Sequence, residues 1–389
     1  MCLEVSEVNG MPIVIDLFAG AGGLSLGASR AGFTVGAAVE KDEHAMRTHI
    51  SNFPNTVHIQ EDITTLTGKS IIKKAKINQQ DLIGIIGGPP CQGFSDIGQG
   101  DVKDERNLLF IKFFDIVAEL QPVFFVAENV PGIMKEKYKE IRKEAFDKVS
   151  NYTILPPILV NASEYGAPTI RTRYFFIGFR NCALIQPFNA LDIENKKLPE
   201  KDRTTVKMAL EGLQEDIRYT QSFKSSKPLV SHYIEAEKHL QSDFFFNRVT
   251  ACIPENIGDV NYIRSFQTKH IVNGCIPTKH SVTVRSRYAK LKYNERDTIS
   301  KSTRLDPDGY CPTLRAGTGP EKGSYQAVRP IHYKYNRVIT PREAARLQGF
   351  PDWFKLPETI WHSFRQIGNS VSPIAAEQVL SAIYQRLTL

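Results

Sequence analysis

The run Gly87-Gly-Pro-Pro-Cys-Gln-Gly-Phe-Ser carries a cysteine, Cys91, on a glycine-flanked loop that follows the apolar segment Leu82–Ile86. An isolated cysteine is most often a small buried hydrophobe, but a loop opened by Pro-Pro beyond a strand exposes its thiol. Glu128-Asn-Val follows the next strong apolar segment and brings a carboxyl to the same sheet edge. Arg171 and Arg173 stand two residues apart, so an extended chain presents both cations on one face. A second constellation opens with Asp16-Leu-Phe-Ala-Gly-Ala-Gly-Gly-Leu, in which Gly20, Gly22 and Gly23 let a ligand approach the backbone where a Cβ would block it. Glu40 closes the following strand about 20 residues on, where a carboxylate accepts hydrogen bonds from ribose hydroxyls. Asp62 ends a third strand, in reach of an exocyclic amino group of adenine. The glycines alone fit a tight turn, and the last glycine of a dinucleotide fingerprint is missing. With two strand-end acids added, an adenosyl cofactor is favoured, S-adenosyl-L-methionine over NAD.

Alternating strands and helices must hold these groups. The sequence predicts strands at Pro12–Phe18, Thr34–Val39, Val57–Ile59, Leu82–Ile86 and Val123–Ala127, and helices at Leu24–Ala31, His44–Phe53 and Leu108–Leu120. Strands spaced by helices imply a mostly parallel sheet covered on both faces, with ligands bound beyond the strands' carboxyl ends. From about Asn181 to Ser300 no period dominates, as expected of a second, smaller and irregular domain. Regular character returns with a short strand near Val338, a helix starting on its proline at Pro341–Gln348, and a final amphipathic helix at Ile374–Leu387.

Composition bounds the class. The chain has 389 residues, 41% hydrophobic and 23% charged, which excludes a disordered or fibrous protein. Its apolar runs are strand-sized and no leader is evident, so a soluble cytoplasmic protein is expected. Six cysteines without a C-x-x-C pair offer neither a disulfide framework nor a zinc knuckle, and His270, His280 and His332 lack metal spacing and read as surface residues or residues on the side of a bound polymer. The net charge of +7 is concentrated: residues 261–329 hold 13 Lys/Arg against 5 Asp/Glu, interleaved with aromatics. That composition favours a polyanion-binding face over a merely basic surface.

In their order these segments resemble the DNA (cytosine-5)-methyltransferase family of bacterial restriction–modification type. The matching runs are DLFAGAGGLSLG at 16–27, GGPPCQGFS at 87–95, DERNLLF at 104–110, ENV at 128–130, RTRYFFIGFR at 171–180, TPREAARLQGFPD at 340–352 and QIGNSVSP at 366–373. The resemblance implies an α/β fold: a Rossmann-like S-adenosylmethionine-dependent methyltransferase sheet with helices on both faces, plus a smaller irregular target-recognition domain. It implies a cofactor-binding catalytic domain at 1–185, a DNA-reading domain at 186–335, and a return segment at 336–389 that completes the first.

The implied chemistry accounts for the residue types. Carbon 5 of cytosine is a poor nucleophile until a thiolate adds to carbon 6. Cys91 resembles that nucleophile, and Arg171 or Arg173 would supply the positive surroundings a thiolate needs. Glu128 resembles the acid that meets ring nitrogen 3, in a protonated form favoured by burial. For S-adenosyl-L-methionine, the resemblance implies contacts from Phe18, Ala19, Gly20, Gly22, Gly23, Glu40, Asp62, Ile63, Pro90, Leu109, Asn369 and Val371. Lys41 departs from examples with Trp at that position, which leaves one stacking wall open. The target base must leave the duplex. A loop from about 92 to 103 would close on double-stranded DNA through Gln92, Ser95 and Ile97. Arg285 and Arg287, with Lys290 and Lys292, are spaced to share a face of an extended strand, and Arg315 sits in a Gly-rich loop; all three arginines are DNA-contact candidates. No metal is implied, the expected state is a monomer, and a cognate restriction endonuclease is expected only as a genetic partner. A tRNA-acting relative would carry Cys-Phe-Thr and a short variable region, and this chain has neither. A catalytically dead regulator fits poorly with Cys91, Glu128, Arg171 and Arg173 all present.

Overall fold

The computed structural model describes residues 12–90, 108–181, 187–213, 230–232, 244–316 and 329–387. Cys91, Gln92, Ser95 and Ile97 lie outside the described residues. The N-terminal part runs β1 (Ile13–Leu17), α1 (Gly23–Ala31), β2 (Thr34–Val39), α2 (Glu43–Asn52), β3 (Val57–Ile59), α3 (Gly68–Ala75), β4 (Leu82–Gly87), α4 (Leu108–Leu120), β5 (Phe124–Asn129) and α5 (Lys139–Asp147). Then come β6 (Tyr152–Ile154), β7 (Ile158–Asn161), β8 (Thr169–Ile170) and β9 (Thr172–Arg180). The sheet order is β3-β2-β1-β4-β5-β9-β6, with β7 also on β9; the first five strands are parallel, and β9 pairs antiparallel with its neighbours.

Burial on both faces explains the near-continuous apolar strands. Val14, Ile86, Phe124 and Val126 join one core with α1 and the C-terminal helix, whereas Ile15, Leu17, Ile85 and Phe125 join the other with α3 and α4. Successive residues of β1 thus serve opposite layers, as the period of two requires. Gly32 ends α1 in the left-handed region at φ 104°, where the sequence predicts the stop. Gly27 lets the last helix lie directly on α1: a Cβ there would fall 2.4 Å from the Cβ of Ala376.

The rest of the chain holds short elements: α6 (Ala190–Glu194), α7 (Val206–Leu210), β10 (Val230–His232), α8 (Phe244–Phe246), α9 (Val260–Lys269), β11 (Ile271–Asn273), α10 (Val282–Ala289) and β12 (Cys311–Pro312). It closes with α11 (Pro341–Gln348), α12 (Ile360–Asn369) and α13 (Pro373–Leu387). Two arginines of α11 hold this region together. Arg342, fully buried, donates to the carbonyls of Asn273, Pro351 and Phe354, and Arg346 pairs with Asp352 and donates to the Ala209 carbonyl.

Three readings need correction. The segment bearing Arg285 and Arg287 is the helix α10, not an extended strand; Ser281 caps it by accepting from the Val284 amide, and residues two apart on a helix do not share a face. Val338 makes only an isolated bridge with Ile331. His332 is buried, its Nδ1 accepting from the Lys334 amide, rather than lying on the surface.

Candidate active site

The strand order reverses between β1 and β4, and a cleft of about 550 Å³ opens at the carboxyl ends of the parallel strands. After β1 it is lined by Phe18, Ala19, Gly20 and Gly23; after β2 by Glu40; after β3 by Asp62 and Ile63; after β4 by Gly88, Pro89 and Pro90. Leu109 of α4 and Asn369 and Val371 of the return segment complete it. Of the residues expected at the cofactor, only Gly22 is absent from the wall. Its empty Cβ position points instead into α2, 2.3 Å from a Phe53 ring carbon and 3.1 Å from His49.

The turn after β1 is held from β2. Phe18 takes φ 61°, the Ala19 amide donates to the Val39 carbonyl, and the Gly20 amide donates to Glu40 Oε2 at 3.0 Å. Glu40 Oε1 accepts from the Asp42 amide, and burial raises the Glu40 pKa. A Cβ on Gly20 would meet nothing within 4 Å, whereas one on Gly23 would strike the Val371 carbonyl at 2.4 Å. Gly20 therefore leaves open space for a ligand, and Gly23 lets the return segment close on α1.

Asp62 is largely committed: Oδ1 caps the turn at Ile63–Thr65 by accepting from the Thr64 amide and hydroxyl, and Oδ2 faces Lys41 Nζ at 3.3 Å. The Thr64 bonds first, then Lys41, lower its pKa. Lys41 thus reaches an acid of the cleft rather than forming a stacking wall. Across the mouth, α12 clamps α2: the His362 and His44 rings meet at a 32° tilt with centroids 3.6 Å apart, Arg365 pairs with Asp42 at 3.1 Å, and Gln366 donates to the His44 carbonyl.

Glu128 and Arg173 line the same cleft and form an ion pair, Nε to Oε1 at 2.7 Å, both side chains mostly buried. Asn129, not singled out from the sequence, donates to the Pro89 carbonyl and so ties the Pro-Pro loop to the end of β5. Its signal was the ENV run itself. Arg171 does not share the site of Arg173. It is 3% exposed and donates to the carbonyls of Leu314 and Gly368. Gly368 is packed so closely that a Cβ would lie 2.5 Å from the Ala316 amide. The Leu314–Ala316 turn is thereby held on the end of α12, with Arg315 exposed. Arg285 is exposed on α10, but Arg287 binds buried Asp297 at 2.5 Å. No candidate metal cluster exists among the described residues.

The C-5 cytosine-specific DNA methylase family model matches residues 13–385. The chain belongs to that family. The type II methyltransferase M.XorII of Xanthomonas oryzae pv. oryzae is 36% identical over 97% of this chain and 85% of its own length. M.DdeI of Desulfomicrobium norvegicum is 33% identical over 95% and 88%. A crystal structure of a prophage-encoded E. coli protein, described as a DNA modification methyltransferase, superposes with a TM-score of 0.85 at 50% identity, covering 97% of this chain and 99% of that one. The Dnmt2 methyltransferase of S. pombe, at 17% identity and a TM-score of 0.61, shares the fold. The methylase transfers a methyl group from S-adenosyl-L-methionine to carbon 5 of cytosine in DNA. Its cleft fits that donor: the volume suits a nucleoside-sized ligand, Gly20 leaves open space, and buried Asp16 keeps Oδ1 without a hydrogen-bond partner where a cationic ligand would sit. No described helix is long and apolar enough to cross a membrane.

Proposed function

We propose that the chain methylates cytosine within a specific duplex sequence, through a covalent Cys91 adduct on a base rotated out of the helix, and protects DNA in a restriction–modification system. The observation that carries this reading is that one cleft joins the glycine turn and Glu40 to the Pro89–Pro90 loop, Glu128 and Arg173. Phe18, Gly20, Glu40, Asp62, Ile63, Leu109, Asn369 and Val371 would hold the cofactor, which supplies an electrophilic methyl group on a sulfonium. Cys91, directly after Pro90, would add to carbon 6 of cytosine and make carbon 5 nucleophilic. Glu128 would meet ring nitrogen 3, and Arg173 the ring carbonyl oxygen, where a fixed cation stabilises developing negative charge. Loss of the carbon-5 proton then expels the cysteine sulfur by β-elimination. Arg171 is read as the residue that braces the Leu314–Ala316 turn. Arg315 and Arg285, both exposed, are read as DNA contacts beside Gln92, Ser95 and Ile97. The cognate endonuclease would be a genetic partner rather than a subunit.

Bisulfite sequencing of plasmid DNA from cells expressing the protein tests this reading. Protected cytosines at one repeated motif, lost in Cys91→Ser while DNA binding persists, are expected. Protection at no repeated motif would refute duplex-DNA methylation, and full activity in Cys91→Ser would refute the adduct.

A further inference from the structure

Behind the glycine turn a line of polar groups runs from the cleft towards the surface through the otherwise apolar first layer. Asp16, on β1, is fully buried and lines the cleft, yet its Oδ1 has no partner. Its Oδ2 accepts from Ser25 Oγ of α1 at 2.5 Å. Ser25 has one hydroxyl proton, and it is used there, so its contact with His49 Nε2 of α2 at 3.0 Å is one in which the imidazole donates. His49 Nδ1 then accepts from His58 Nε2 of β3 at 2.9 Å. His58 is only half-buried. With these tautomers every donor points inward, the polarity that accompanies an ionised Asp16; the Thr56 carbonyl beside the His58 ring favours the opposite set, in which Asp16 keeps its proton. Gly22 makes the arrangement possible, because any Cβ there would fall on Phe53 and His49.

We propose that Ser25, His49 and His58 are positioning residues that carry a proton between Asp16 and the surface, so that a cationic ligand enters the cleft as Asp16 gives up its proton. The transfer balances without a co-reactant. Asp16 Oδ2–H passes its proton to Ser25 Oγ, Ser25 passes its own to His49 Nε2, His49 Nδ1–H passes its proton to His58 Nε2, and His58 Nδ1–H passes its proton to water. The end state is the inward polarity described above.

Electrostatics support this order. Burial, opposed by the Ser25 hydrogen bond and reinforced by Glu40, pushes the Asp16 carboxyl up to about 7. Burial holds His58 down to about 4 and His49 well below the ordinary imidazole range, with His58 adding to the effect on His49, so both rings rest neutral and pass protons without storing them. The charged and titratable groups around Asp16 are Glu40 after β2, His49 on α2 and His58 on β3. Further round the cleft are Lys41 with Asp62, Glu61 with Lys74, Asp42 with Arg365, the paired rings of His44 and His362, and Glu128 with Arg173. Each of these acids except Glu40 has its own cation, and Asp16 has none.

The proposal rests on the cleft being the S-adenosyl-L-methionine site, and the test separates the two. Calorimetric titration of the full chain with S-adenosyl-L-methionine, without DNA, in buffers of different ionisation enthalpy counts protons released on binding. Near pH 6 close to one proton per ligand is expected, and affinity should weaken about tenfold between pH 8 and pH 6 relative to Asp16→Asn, which releases none. Ser25→Ala and His49→Phe should slow the appearance of that proton at least tenfold in stopped-flow mixing with a pH indicator, and His58→Gln, at the half-buried end, should do so with the fold least disturbed. A proton count near zero in the unmutated protein, or a pH profile shared by Asp16→Asn, overturns the relay. Proton release as fast in all three relay variants as in the unmutated protein also overturns it. Binding that is absent at every pH, or indifferent to Glu40→Ala, overturns the cofactor reading of the cleft instead.

Discussion

Arg171 and Arg173 are two residues apart in one motif, and their geometry assigns them opposite work. Truncating Arg171 to Ala removes a guanidinium that is 3% exposed and leaves the Leu314 and Gly368 carbonyls without it. Each is a hydrogen bond from a charged donor to a buried acceptor, worth about 1.5–3 kcal/mol, so the pair sums to roughly 3–6 kcal/mol. At about 1.2 °C per kcal/mol for a chain of this size, Arg171→Ala should melt about 4–7 °C lower. It should also lose methyl transfer, because the turn carrying Arg315 is released from α12. Arg173→Ala removes an ion pair at the cleft wall instead. Its melting point should fall through the stranded, mostly buried Glu128 carboxylate, a cost that Glu128→Gln in the same chain removes, while methyl transfer falls at least a hundredfold through the loss of a fixed cation. Differential scanning fluorimetry with a tritiated-methyl transfer assay reads both quantities. An Arg171→Ala protein that melts with the unmutated one yet cannot methylate would refute this division and return Arg171 to the reacting base.

Further outcomes follow from the same geometry. Gly22→Ala should cost about 2–4 kcal/mol, from a left-handed φ of 98° and a Cβ 2.3 Å from Phe53, whereas Gly20→Ala should cost about 1 kcal/mol but weaken S-adenosyl-L-methionine binding by filling the cleft; urea denaturation and calorimetry separate them, and equal stabilities would contradict the packing. Arg287→Ala should destabilise the chain by stranding buried Asp297, while Arg285→Ala should leave stability unchanged and weaken retention of duplex DNA in a gel-shift titration; the reverse pattern would exchange their roles. Asp16, raised by burial from 3.8 to about 7, keeps a proton in the folded chain that the unfolded chain has lost. Its contribution to stability is full below pH 3.8 and vanishes as pH rises through about 7. Between pH 5 and pH 7 the unliganded protein should therefore lose about 2–3 kcal/mol that Asp16→Asn does not, and parallel pH profiles in denaturation would rule this out.

Most of the sheet was legible because its strands are buried on both faces and its helices begin and end on strong local signals. The predicted bounds of β2, β3, α4 and α11 coincide with the observed ones. α12 escaped notice because its cleft-facing residues His362, Arg365, Gln366 and Asn369 interrupt the apolar stripe with side chains that serve the site. α10 was misread because β-branched residues and alternate cations imitate a strand, while the deciding signal, Ser281 at the N-cap, is a single hydroxyl. Long motifs made Glu128, Arg173 and the glycine turn recognisable. The partners of Asp16 come from three separate elements, and no local pattern joins Ser25, His49 and His58. The different fates of Arg171 and Arg173 were equally hidden, since they depend on carbonyls supplied by residues 314 and 368.

The concentration of positive charge at residues 261–329 also changes meaning once the side chains are located. Arg304 is buried, donating to the Tyr288 and Tyr333 carbonyls; Arg287 is bound to Asp297; Arg329 lies over the Phe364 ring, 4.3 Å from its centroid. These three cations fasten the irregular region to itself and to α12, where few regular elements exist to do so. Arg264, Lys269, Lys279, Arg285, Lys290, Lys292, Arg296, Lys301 and Arg315 remain exposed. A charge count along the sequence therefore overstates the surface available to phosphates. The salt dependence of DNA binding should follow the exposed set, each phosphate contact steepening the slope of log K against log salt by about 0.9. Neutralising Arg304 should change folding and leave that slope alone, because a guanidinium already spent on backbone carbonyls releases no counterion from DNA.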